Sequence, residues 1–101
     1  MLASKVAETA CNSLKLPMDI MSACKQTADN LSALHAMEGK KPQTIAGVAI
    51  MMVLQYSKIM VGQVGIDEVA TAVDIKPSTI NEILRQTAVL REHVLPEFWQ
   101  H

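Results

Sequence analysis

From Ile45 to Leu54 the chain runs through ten residues without a charged or hydrogen-bonding side chain. A membrane span needs roughly 18 apolar residues, so this run has the length of a buried core helix instead. The wider segment from Thr44 to Tyr56 is hydrophobic almost all round, and such a helix must be surrounded by others rather than lie on a surface. It is the predicted hub of the fold. Pro42 opens it, and Gly47 with the neighbouring alanines lets other helices approach closely.

What packs on that hub is limited by composition. Half of the 101 residues are hydrophobic but only 3% are aromatic, so Ala, Val, Ile, Leu and seven Met must fill the core. That mixture of small and unbranched side chains favours helix over strand. Four Gly and four Pro cannot supply the turn every ~8 to 12 residues that a sandwich or barrel requires. One all-α domain over residues 1–101 is the expectation, and the apolar content excludes intrinsic disorder.

The prolines divide the chain. Leu2, Val6, Ala10 and Leu14 form a helical stripe that Pro17 closes. A second helix, opening at Pro17, carries Ile20, Met21, Cys24, Ala28, Leu31 and Leu34, and ends before Glu38 to Lys41, where Gly39 serves as a stop. After the hub, Ser57 to Gly65 reads as an irregular but apolar connection, with Ile59, Met60, Val61 and Val64 folded back on the domain. Two shorter helices follow, Ile66 to Val73 and Pro77 to about Glu92, making five. The closing Leu95, Pro96, Phe98 and Trp99 form a tail that folds back on the bundle.

Ile66 to Glu82 has the layout of a helix-turn-helix, with the whole motif spanning 66–92. Ala70 is small where two helices cross. Asp74 stands where the chain leaves the first helix through a left-handed conformation, which Gly takes best and Asp tolerates. Ile75 and Ile80 pin the turn to the core, Lys76 falls at the cap and Pro77 in the first turn of the second helix. The same geometry also occurs in all-α proteins that never meet DNA. In a major groove, the exposed leading positions would be Pro77, Ser78, Asn81 and Glu82, with Arg85 one turn on. Asn81 can pair with adenine, Ser78 can bond a base or a phosphate, and Arg85 can bind phosphate. Glu82 favours the helix N-terminus and repels phosphate.

These segments resemble the second cyclin-like repeat of the transcription factor IIB family. Pro42-Gln43-Thr44-Ile45-Ala46-Gly47-Val48-Ala49-Ile50, with Gln55, is similar to the central helix of such a repeat, and Thr79-Ile80 and Leu95-Pro96-Glu97-Phe98-Trp99 to its end. The resemblance covers nearly the whole chain. It implies a five-helix cyclin-like bundle with a buried central helix and a C-terminal helix-turn-helix, no catalysis, no cofactor and a nuclear location. The implied partners are promoter DNA upstream of the TATA element, TATA-binding protein and the RNA polymerase machinery. Carried over by position, the base-facing residues are Ser78 and Asn81, with Thr79 and Arg85 as candidate backbone contacts; Lys76, at the cap of the second helix, is a further DNA-binding candidate. The family usually has Arg at the position of Asn81 and a small apolar residue at that of Ser78, which implies an altered or lost base preference. Its zinc ribbon and first repeat have no counterpart here, so the chain reads as a fragment or a divergent relative.

Charge and cysteine content set bounds on these readings. Nine basic and ten acidic residues leave a net charge of -1, without the cationic excess usual in a free-standing nucleic-acid domain. From Lys40 to Arg91, however, six basic residues face four acidic ones, a surplus of +2. DNA binding by this domain alone is therefore expected to be weak, and any promoter role cooperative. A cyclin-like protein-interaction module without direct DNA contact is the alternative, since the apolar Ile59 to Val64 and Phe98-Trp99 suit a protein surface. Cys11 and Cys24 lack the spacing of a zinc site and read as small buried thiols of a reducing compartment. His35, His93 and His101 have no nucleophile or carboxylate at recognisable spacing and no phosphate loop is present, so neither an enzyme nor a small-molecule substrate is expected. No secretory signal or membrane segment is expected either.

Overall fold

A computed structural model describes residues 2–57, 64–90 and 94. The described chain is all-α. It contains five helices, α1 (Ala3–Ser13), α2 (Met18–Ser32), α3 (Pro42–Ser57), α4 (Ile66–Val73) and α5 (Pro77–Thr87), and two 3-10 turns, His35–Met37 and Ala88–Leu90.

α3 is the hub that its composition demands. Ala46, Val48, Ala49, Ile50 and Val53 are fully buried, and α1, α2, α4 and α5 all pack against this helix. The closest approach is at Gly47. A Cβ placed there would lie 2.9 Å from Ile80 Cδ1 and 3.2 Å from Val73 Cγ2. Glycine is needed because α4 and α5 seat these two side chains directly on the α3 backbone.

α1 departs from the predicted stripe. Ala3, Val6, Ala7, Ala10 and Cys11 are buried, whereas Leu2 is 73% exposed and Leu14 half-buried. The small residues win because α1 lies close against both α2 and α3, and alanine permits that spacing where leucine does not. Lys15 then takes a left-handed conformation (φ 59°). The Lys15 N–H donates to the Asn12 carbonyl (3.1 Å) and the Leu16 N–H to the Cys11 carbonyl (3.0 Å), closing a Schellman turn.

α2 buries Ile20, Cys24, Ala28 and Leu31 as predicted, but Pro17 caps the helix from outside rather than occupying its first position. Met18, in its first turn, is 79% exposed and takes no part in the core. The helix stops at Ser32, short of Leu34, and the following 3-10 turn buries Met37. Lys25 of α2 reaches Glu8 of α1 at 3.0 Å, and Lys5 approaches the same carboxylate at 3.8 Å. The Lys25 ammonium, by hydrogen bond and charge, holds the Glu8 carboxyl below its ordinary range.

α5 ends at Thr87, earlier than predicted, and a tighter 3-10 turn over Ala88–Leu90 follows it. Beyond it, Val94 is fully buried and its carbonyl accepts a 2.7 Å hydrogen bond from Asn30 Nδ2, tying this end of the chain to α2. Ile59 to Val61 of the predicted apolar connection, and the closing Leu95 to Trp99, lie outside the described residues. Thr27 is fully buried in α2, and its hydroxyl has no hydrogen-bond partner among the described residues.

Two substitutions test this packing. Gly47→Ala should cost about 1–2 kcal/mol in urea unfolding despite its better helix propensity, and adding Ile80→Val should recover part of the loss. Strict additivity of the two changes would contradict a direct contact. Thr27→Val should raise stability by about 1 kcal/mol, because it removes an unpaired buried hydroxyl at nearly constant volume; a fall in midpoint would mean that the hydroxyl is satisfied.

Candidate nucleic-acid interface

α4 and α5 form the predicted helix-turn-helix, described here from Ile66 to Leu90. α4 starts after Gly65, whose N–H donates to Glu68 Oε2 at 2.9 Å, half of a capping box. Val69, Ala70 and Val73 face the core. The helix ends as expected at Asp74, in the left-handed region (φ 60°, ψ 47°). The Asp74 N–H donates to the Thr71 carbonyl (3.3 Å) and the Ile75 N–H to the Ala70 carbonyl (3.0 Å), a second Schellman turn. Lys76 is then extended at the cap of α5, with Pro77 in the first turn, as the sequence predicts.

Ile80, Ile83, Leu84 and Thr87 are the buried face of α5, and the Thr87 hydroxyl is satisfied by the Ile83 carbonyl at 2.8 Å. Ile80 is fully buried on Gly47, whereas Ile75 is only half-buried, so Ile80 is the firmer anchor of the turn.

The five predicted site residues divide between two neighbouring surfaces. Ser78, Asn81 and Arg85 are exposed and follow the outer side of α5, with Glu82 exposed between them. Lys76 and Thr79 turn toward a cleft of about 390 Å³ between the α4–α5 turn and the segment entering α3. Gly39, Lys40, Lys41, Thr44, Asp74, Ile75 and Ile83 complete its lining. Lys40 and Lys41 were legible only as part of the local charge surplus, because nothing in their sequence position announces that the segment before α3 meets the turn before α5.

On the α1–α2 side Lys5 and Lys25 are engaged by Glu8, whereas Lys15 in the connecting turn forms no ion pair among the described residues. Lys40, Lys41, Lys76 and Arg85 form no ion pair among the described residues. A different cleft of about 540 Å³ between the end of α1 and α4 is lined by Asp67 and Glu68 with Ser13, Leu14, Thr71 and Ala72, and is acidic.

The cysteines are close in space although distant in sequence. Cys11 and Cys24 are fully buried on α1 and α2, with their thiols near enough to influence each other. The neighbouring Cys11 thiol and burial hold the Cys24 thiol well above its ordinary range, which makes it a poor nucleophile. Exposed His35 pairs through Nδ1 with Glu38 Oε2 at 3.1 Å. Among the described residues, no three His, Cys, Asp or Glu side chains converge to hold a metal, and no helix is long and apolar enough to cross a membrane. No family model, no curated protein and no solved structure matches the chain.

The turn geometry is testable through Asp74. Asp74→Gly should raise stability by about 0.5–1 kcal/mol, and Asp74→Val should lower it by about 1–2 kcal/mol, because a β-branched side chain opposes the left-handed conformation. Equal stability of the two variants in thermal unfolding would contradict the left-handed turn.

Proposed function

We propose that this chain is a promoter-binding module of the transcription initiation machinery, resembling the second cyclin-like repeat of transcription factor IIB. In this reading α5 enters the major groove upstream of a TATA element while TATA-binding protein holds the adjoining bent duplex, in the nucleus and within an RNA polymerase assembly. No catalytic step or cofactor belongs to it.

The observation that carries the reading is the outer side of α5. Ser78, Asn81 and Arg85 are open to solvent over the first turns of a helix whose entry is set by the Asp74 turn and whose inner face is locked on Gly47. That is the arrangement by which a recognition helix presents short polar side chains to base edges and a longer cation to the backbone. Asn81 is assigned to adenine, Ser78 to a base edge or phosphate, and Arg85, Thr79 and Lys76 to phosphates. The net charge of -1 makes the partner protein part of the mechanism, since the domain alone has a small electrostatic footprint.

The acidic cleft between α1 and α4 favours a second reading, a protein-interaction module in which a basic partner segment sits against Asp67 and Glu68 beside Leu14. A partner captured there would survive nuclease treatment and be lost on Asp67→Asn/Glu68→Gln.

Duplex titrations with and without TATA-binding protein test the principal reading. Binding should be salt-dependent and strengthened by the partner. Asn81→Ala should cost about 1–3 kcal/mol on the preferred site only, and Arg85→Ala should weaken all sequences alike and flatten the salt slope by about one. Absence of binding under both conditions would remove the reading.

A further inference from the structure

We infer that the cleft between the segment entering α3 and the α4–α5 turn is a second DNA contact, which grips a backbone phosphodiester beside the groove that α5 reads. The inference rests on the promoter-binding reading and adds Lys40, Lys41 and Thr44 to the interface.

The cleft brings together three lysines from two distant stretches of chain. Lys40, Lys41 and Lys76 are exposed, line the same cavity of about 390 Å³, and form no ion pair among the described residues. Against them stands one acid, Asp74, leaving a local charge of +2. Two helices begin at this cleft, α3 at Pro42 and α5 at Pro77, and α5 has no side-chain cap at its N-terminus. Both helix dipoles therefore add positive potential at the cleft.

Thr44, in the first turn of α3, also lines the cleft and places a hydroxyl-bearing side chain beside the lysines. The acidic α1–α4 cleft shows that positive charge is not a general property of this molecule's concavities.

A nucleic-acid backbone is the occupant that fits. Lys76 and Thr79 line the cleft from the first turn of the same helix that exposes Ser78 and Asn81 on its outer side, so a strand read by α5 passes the cleft mouth. An anion bound there would hold α5 in register without reading sequence.

The test uses the whole chain, fluorescent duplexes of several unrelated sequences, and inorganic pyrophosphate as a competing free anion, over a range of salt concentrations, with circular dichroism to verify folding. Lys40→Ala/Lys41→Ala should weaken every duplex on the order of tenfold at low salt and reduce the salt slope by about one. Asp74→Asn, which keeps the left-handed turn, should strengthen binding. Unchanged affinity and slope in the double lysine variant, with the unaltered chain still binding duplex, would overturn the cleft and leave the role of α5 standing. No duplex binding by the unaltered chain with or without TATA-binding protein would overturn both, even if pyrophosphate still bound through these lysines.

Discussion

The contact of Ile80 and Val73 with the backbone of Gly47 is the point on which the α4–α5 half of this molecule depends. α3 is apolar on every side, so it is stable in water only when covered on every side. α1 and α2 cover part of it with alanines, cysteines and leucine. α4 and α5 cover the rest, and can do so closely because no side chain intervenes at Gly47. The burial that completes the core is thereby the same burial that orients the outer side of α5. Packing and presentation are one event here, and loosening the first loosens the second.

Electrostatics are organised by the same division. The cations of α1 and α2 are taken up by Glu8, while those around the α4–α5 turn remain unpaired and gather near two helix N-termini. A chain with a net charge of -1 can therefore offer a local cationic surface, because attraction to a phosphate depends on charges within about 8–10 Å rather than on the sum over the molecule. Asp74 and Glu82 limit that attraction. Asp74 is there for the conformation of the turn, and Glu82 lies between the residues assigned to DNA. Both fit a module whose grip is modest until a second protein shares the load.

Much of the architecture was legible because strong local rules agreed with the tertiary structure. The all-round apolar α3, the left-handed Asp74 and the Lys76-Pro77 helix start each follow from side-chain chemistry at a single place. The stripe on α1 differs from the sequence expectation for a physical reason. Large apolar residues ordinarily mark the buried face, but close helix approach selects Ala3, Ala7 and Ala10 and leaves Leu2 in solvent. The α5 side of the candidate site was legible through the motif it belongs to. The Lys40–Lys41 side was not, since it requires knowing that the segment entering α3 returns to the α4–α5 turn, a contact that no local pattern encodes. The meeting of Cys11 and Cys24 was hidden for the same reason.

In the proposed reading one face, made by the outer side of α5 and the neighbouring lysine cleft, meets DNA. Amide chemical-shift mapping on addition of duplex tests it most directly. Shifts should concentrate on residues 39–41, 44 and 76–85 and leave the outer surfaces of α1 and α2 unmoved. Shifts centred instead on Asp67, Glu68 and the end of α1, or spread evenly over the molecule, would contradict the account.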